Sequence, residues 1–266
     1  PISGEVVICV SFGGGTDSTA LLVEAHRRSL RPDLIVFADT GSEQPHIYAH
    51  LDVMRGWLAS VGFPALTVVR WVRKVGPLAG QFVAIHEQCE RLQELPSVAY
   101  GRAGCSSKWK RQPVDAYVTA HPDVQAALAR GETVERWLGY SADEGHRMRN
   151  LPARGPGQPY LWRAPLAEWD MGREDCRQAI RCAGLPLPGK SSCWFCPNMR
   201  PAEVQRLRER HPDLYLRALA IEAAAVLDTV KGLGRRWSWA ELDQQRTMFS
   251  AQLVDDTDDM PCGCST

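Results

Sequence analysis

Val6-Val7-Ile8-Cys9-Val10-Ser11-Phe12-Gly13-Gly14-Gly15-Thr16-Asp17-Ser18-Thr19-Ala20-Leu21-Leu22 passes from an apolar run through three glycines into a stretch with helical periodicity. Glu5 to Val10 suit a strand buried on both faces, Ser11 to Ser18 supply a turn, and Thr19 to Leu30 read as an amphipathic helix. Consecutive glycines let the backbone turn tightly and approach an anion closely. The following helix N-terminus offers free N–H groups and a positive dipole end. Thr16, Ser18 and Thr19 add hydroxyls. The Gly-Lys-Ser/Thr ending of a Walker loop is missing, and so is the full dinucleotide-binding glycine spacing.

Working outward, Leu34 to Ala38 form a second apolar run that ends at Asp39-Thr40-Gly41. His46 to Val61 look helical, and Ala65 to Trp71 look like a third strand. Such alternation implies a parallel sheet with right-handed crossovers and helices on both faces. Helices are expected over Phe82 to Leu92, Pro113 to His121 and Met171 to Ala183, with a strand over Val134 to Leu138 ending at Gly139-Tyr140-Ser141. Leu151 to Gln158 read as a loop, and Pro201 to Val230 as one or two helices. The expected organisation is an α/β nucleotide-binding domain over 1–165, a smaller helical, cysteine-containing part over 166–248 and a flexible tail over 249–266.

Thirty-one basic residues balance thirty-one acidic ones, which argues against non-specific nucleic-acid binding through bulk charge. Local basic groups remain at Arg102, Lys108, Lys110 and Arg111, and at Arg147, Arg149 and Arg154. No apolar run approaches a membrane span, so the chain is expected to be cytoplasmic and free of the membrane. Nine cysteines, an odd number, do not form a disulfide framework. Cys9, Cys176 and Cys182 read as packing residues. Cys193-Trp194-Phe195-Cys196 is a CxxC without a thioredoxin-like βαβ around it, so a metal site is the preferred reading. Cys105-Ser106-Ser107-Lys108 is a second Ser-flanked cysteine. Trp109, Trp194, Trp237 and Trp239 could stack on bases, although buried tryptophans are the commoner case.

Ser11 to Ser18 resemble the Ser-Gly-Gly-x-Asp-Ser loop of the PP-loop ATP pyrophosphatases, with Gly13 standing where that family has its first Ser. Phe37 to Glu43 resemble the second-strand signature of the PAPS reductase branch. Gly139 to Arg147 resemble that branch's substrate-side region. The resemblance spans roughly residues 5–200 and implies a PP-loop (HUP-like) fold that binds ATP with Mg²⁺. It places the nucleotide on Ser11, Gly13, Gly14, Gly15, Thr16, Asp17, Ser18, Asp39, Thr40, Gly139 and Ser141, with catalytic roles for Asp17, Ser18 and Arg147.

Cys105, Cys193 and Cys196 look like the cluster ligands of the APS reductases, with Ser106 replacing one cysteine. Three thiolates imply a 4Fe-4S cluster with one open iron, as in PP-loop tRNA thiolases. Zinc is the competing metal, its fourth ligand coming from Cys89, a His or the tail. Cys262-Gly263-Cys264 could be a swinging thiol or an incidental part of a frayed tail.

The expectation is an ATP-dependent sulfurtransferase of the nucleic-acid thiolation or phosphorothioation type, supplied by a cysteine desulfurase. One alternative is a PAPS or APS reductase served by thioredoxin. Another is a metal-stapled nucleotide-binding module without turnover. A homodimer is compatible with each.

Overall fold

The computed structural model describes residues 6–152 and 159–242. Arg154 and the expected tail with Cys262 and Cys264 lie outside the described residues. Five strands, β1 (Val7–Ser11), β2 (Leu34–Asp39), β3 (Leu66–Arg70), β4 (Val134–Leu138) and β5 (Tyr160–Arg163), form one sheet in the order β3-β2-β1-β4-β5. Every neighbouring pair is parallel. The expected fold class, a parallel α/β sheet covered on both faces, is the one observed.

Side chains of β2 show how one sequence serves two faces. Ile35 and Phe37 pack with Val10 and Phe12 against α1 (Thr16–Arg27), α2 (Pro45–Ser60) and α8 (Arg173–Cys182). Leu34, Val36 and Ala38 pack with Cys9 against α4 (Gln112–Ala120) and α5 (Pro122–Ala129). A third apolar cluster stands beside the sheet. It joins α3 (Ile85–Leu92) and the π-helical turn Ser106–Arg111 to the CxxC segment, α9 (Pro201–Arg210) and α10 (Pro212–Ala224). Trp109, Trp194 and Trp239 are buried there and Trp237 packs against it, so the four tryptophans are packing residues.

Several boundaries differ from the sequence reading. Helix α1 starts at Thr16, not Thr19, because Gly14 takes the turn at φ 72° and Ser18 Oγ folds back onto the Gly15 carbonyl at 3.1 Å. Thr16, Asp17 and Ser18 therefore form the first helical turn. Helix α3 starts at Ile85 because Phe82 pairs with Val72 in an antiparallel bridge. Strand β5 and helix α5 carry no sequence expectation; β5 is only four residues long and half-buried, too short for a period to show. Pro201 to Val230 break into two helices at His211-Pro212. A residue before proline avoids the α region, and His211 sits at φ −142°, ψ 65°. Cys9 and Cys176 are buried as expected, whereas Cys182 lies exposed on α8.

Candidate functional site

Strand order reverses between β1 and β4, and ligand crevices of parallel sheets open beyond the carboxyl ends at such a point. The turn Phe12–Gly15 leaves β1 there, and Gly139 leaves β4 beside it. Gly139 is required by contact: a Cβ would lie 2.8 Å from the Ser18 backbone N and Cα. The end of β4 thus rests directly on the first turn of α1.

A third segment closes the site. Gln44 N–H donates to the Ser192 carbonyl at 3.1 Å, and Trp194 N–H donates to the Ser42 carbonyl at 2.9 Å. Glu43 and Cys193 form an antiparallel bridge between those bonds. Ser191 Oγ donates to the Gly13 carbonyl at 2.5 Å, and a Cβ on Gly15 would come within 3.2 Å of Ser191. Backbone pairing therefore draws the CxxC, far away in sequence, onto the glycine loop.

The result is one cavity of about 670 Å³. Ser11, Gly13, Gly15, Thr16, Asp17, Ser18, Gly139 and Arg147 line it, and so do Cys105, Cys193 and Cys196. Gly14, Asp39, Thr40 and Ser141 stand behind the wall. Asp39 is fully engaged: Oδ1 accepts from Gly41 N–H and Tyr48 at 2.8 Å, and Oδ2 accepts from Arg70 at 2.8 Å. Its carboxylate braces the β2 turn. Thr40 Oγ1 donates to Glu43 at 3.1 Å and lies 3.6 Å from Cys193 Sγ.

Charge on the wall is mostly positive. Lys110, Arg111, Arg147, Arg173 and Lys190 line the cavity with the carboxylates Asp17 and Asp115. Arg147 donates to buried Glu144 at 2.9 Å and stacks 4.1 Å from the centroid of the Tyr140 ring. Lys110 pairs with buried Glu43 at 3.1 Å. Burial, with Glu43 adding to it, holds the Cys193 thiol well above its ordinary value. A cationic group in the cavity would favour its thiolate.

Asp17 is buried and accepts from Arg173 Nη1 at 2.8 Å. Desolvation outweighs the arginine and pushes its carboxyl up to about 6. A raised acid holds its proton more tightly folded than unfolded, so it favours folding below the unfolded value near 3.8, and that contribution is lost as pH rises through about 6. Unfolding free energy should therefore fall between pH 4 and 7 by up to about 3 kcal/mol more in the wild type than in Asp17→Asn. Urea titrations at each pH measure it; parallel profiles would contradict the assignment.

Sequence reading missed Arg173, although a signal existed. A cation in the first turn of a helix opposes the helix dipole, which marks Arg173 as held there by another partner. It also missed Ser191 as the contact that joins the CxxC segment to the glycine loop.

The donor set bears on which metal the cysteines suit. Among the described residues no three His, Cys, Asp or Glu side chains gather tightly enough to hold one ion. Zinc needs four donors within about 2.3 Å of a single point. A four-iron cluster takes its thiolates at separate corners, and Cys105, Cys193 and Cys196 all line the one cavity.

Fold and site define a parallel α/β protein with a helix-capped glycine loop and three cysteines on one cavity. No protein-family profile matches the chain, and no curated protein matches it. Among solved structures it is similar to the U34-tRNA thiolase NcsA from Methanococcus maripaludis with its 4Fe-4S cluster. The TM-score is 0.43 at 11% identity, over 84% of this chain and 73% of that one. No helix among the described residues is long and apolar enough to cross a membrane.

Proposed function

We propose that the chain is a PP-loop ATP pyrophosphatase that adenylates an oxygen of a nucleic-acid acceptor so that sulfur can replace it. The supporting observation is the shared cavity: the loop suited to phosphates and the three cysteines suited to sulfur chemistry face the same space. The N–H groups of Gly13, Gly15 and the first turn of α1 would bind the phosphates. Arg147 and Arg173 would neutralise charge as the α–β bond breaks, and Asp17 would hold Mg²⁺ beside the loop.

The acceptor oxygen attacks the α-phosphorus and pyrophosphate leaves. A sulfur nucleophile then attacks the acceptor, and AMP departs with the original oxygen. Cys105, Cys193 and Cys196 would hold a 4Fe-4S cluster, which when bound supplies sulfur at an iron without a protein ligand. A donor such as a cysteine desulfurase would replenish it as persulfide sulfur, with a thiol reductant supplying the two electrons that release it as sulfide.

The test is α-³²P-labelled ATP with anaerobically purified protein, sulfide, and either bulk tRNA or duplex DNA. Equimolar AMP and pyrophosphate, dependent on one nucleic acid, is the expected result. Sulfite formed from PAPS or APS with thioredoxin, without pyrophosphate, would replace this reading with a reductase. Nucleotide binding with no turnover of either kind would leave a binding module.

A further inference from the structure

Positive charge gathers outside the cavity as well as in it. Strand β3 ends at Arg70 on the same edge of the parallel sheet as the glycine loop, and the chain then rises into a hairpin. Val72 pairs with Phe82 in an antiparallel bridge, Arg73 N–H donates to the Gln81 carbonyl at 2.9 Å, and Gly80 N–H donates to the Arg73 carbonyl at 2.7 Å. Gly76 and Gly80 take φ 83° and 80°, which only glycine adopts freely, and so close the tip. Lys108 of the π-helical turn lies 4.1 Å from the ring centroids of both Trp71 and Trp109, tying the base of the hairpin to the Cys105 segment. Burial, with Arg73 and Arg91 adding to it, holds the Lys108 ammonium below its ordinary value, so these cations stand close together. Lys108 also donates to Gln88 at 2.5 Å, and Gln88 and Arg102 line a second cavity whose wall shares Cys105 with the main one.

The carboxylates of this region are engaged elsewhere. Glu87 accepts from Ala84 N–H at 2.9 Å, Glu90 from Arg217 at 2.6 Å, and Glu94 from Gln88 at 2.9 Å. Among the described residues Arg73, Lys74, Arg91 and Arg102 pair with no carboxylate. Lys74, Arg91 and Arg102 are exposed and Arg73 is half-buried. Arg91, in the last turn of α3, also serves that helix dipole; the other three have no such local use. Like charges collected without counter-ions repel one another, and a polyanion is the partner that relieves them. Val72 and Val75 are exposed on the same hairpin. A nucleic-acid strand, which combines phosphates with flat apolar base faces, matches that mixture better than an acidic peptide does. An acceptor atom that enters the cavity must belong to an unpaired nucleotide. Unpaired stretches are standing features of folded RNA, whereas duplex DNA has to be opened at a cost.

We propose that Arg73, Lys74 and Arg102 form a docking ridge for the phosphate backbone of an unpaired RNA strand, beside the cavity and outside it. The inference rests on the nucleic-acid acceptor of the proposed function and names the surface that holds it.

Fluorescence anisotropy of a short, end-labelled, unstructured RNA over a salt series tests it. The proteins are wild type, the triple variant Arg73→Gln/Lys74→Gln/Arg102→Gln, and Arg31→Gln, an exposed cation at the opposite end of the strands. A thermal melt checks the fold, and Lys74→Glu at the exposed tip repeats the test should the triple variant melt early. The triple variant is expected to bind the RNA about tenfold or more weakly, with a log–log salt slope shallower by about 2, as three lost phosphate contacts on a single strand require. Its affinity for α,β-methylene ATP changes by less than about twofold, and Arg31→Gln matches wild type. Wild-type RNA affinity and slope in the triple variant would overturn the ridge. No RNA binding by wild type, or equal binding of the matching RNA duplex, would overturn it too. RNA held through the ridge without any AMP or pyrophosphate from ATP would instead leave the ridge standing and sink the pyrophosphatase reading alone.

Discussion

Gly139→Ala is expected to weaken ATP binding and turnover by about 100-fold, because the new methyl meets backbone rather than side chain. Its Cβ would sit 2.8 Å from both N and Cα of Ser18 and 3.0 Å from the Asp17 carbonyl carbon. None of these three backbone atoms can rotate aside, so β4 and the first turn of α1 must separate by several tenths of an ångström. That turn carries the N–H groups proposed to bind phosphate, and their aim is what the proposed nucleotide loop would supply. Overpacking should also cost about 1–3 kcal/mol of stability. Gly56→Ala is the control: it lies inside α2 with nothing within 4 Å of a new Cβ, and it should gain about 0.5–1 kcal/mol. Calorimetric titration and urea unfolding of both variants check the pair. Near-wild-type binding by Gly139→Ala would show that the contact does not position the loop.

Glu203→Ala should be the most destabilising single change near the cysteines. Glu203 Oε2 accepts from Lys190 at 2.9 Å and from Arg200 N–H at 2.7 Å, and both Glu203 and the Lys190 side chain are nearly buried. Lys190 also donates to the Asn198 carbonyl at 3.3 Å, on the far side of the CxxC turn. The pair thus straps the start of the cysteine segment to the N-terminus of α9. Removing the carboxylate leaves a buried ammonium uncompensated, a change that costs about 3–5 kcal/mol. That is a large share of the roughly 5–15 kcal/mol that holds a domain folded. Glu203→Gln keeps an acceptor for the Arg200 N–H and should lose less. The urea midpoint reports the global effect, and faster alkylation of Cys193 and Cys196 reports the local one. A midpoint unmoved in Glu203→Ala would mean that the strap contributes nothing.

The sheet was legible because its strands announce themselves: Val7 to Val10 and Leu34 to Ala38 are apolar runs of strand length, and Val134 to Leu138 end at the turn residues Gly139-Tyr140-Ser141. Three glycines between a strand and a helix marked the tight turn that leads into α1. The meeting of that loop with the CxxC was not legible, since Ser191 on Gly13 and Cys193 on Glu43 are contacts between distant segments that no local pattern encodes. Asp39 shows the converse limit. At the end of β2 it looked like a ligand-facing carboxylate, yet Arg70 and Tyr48 occupy its oxygens. Arg136 and Arg173 carried weak signals of misfit, one a cation on an otherwise apolar strand face and the other a cation at the wrong end of a helix dipole.

The central claim is that nucleotide and sulfur chemistry share one cavity. Electron paramagnetic resonance of the anaerobically purified, dithionite-reduced protein, recorded with and without α,β-methylene ATP, tests it most directly. About four irons per chain and a cluster signal that shifts when the nucleotide binds are the predicted result. Zinc or no metal, or a cluster signal that saturating nucleotide leaves unchanged, would contradict it.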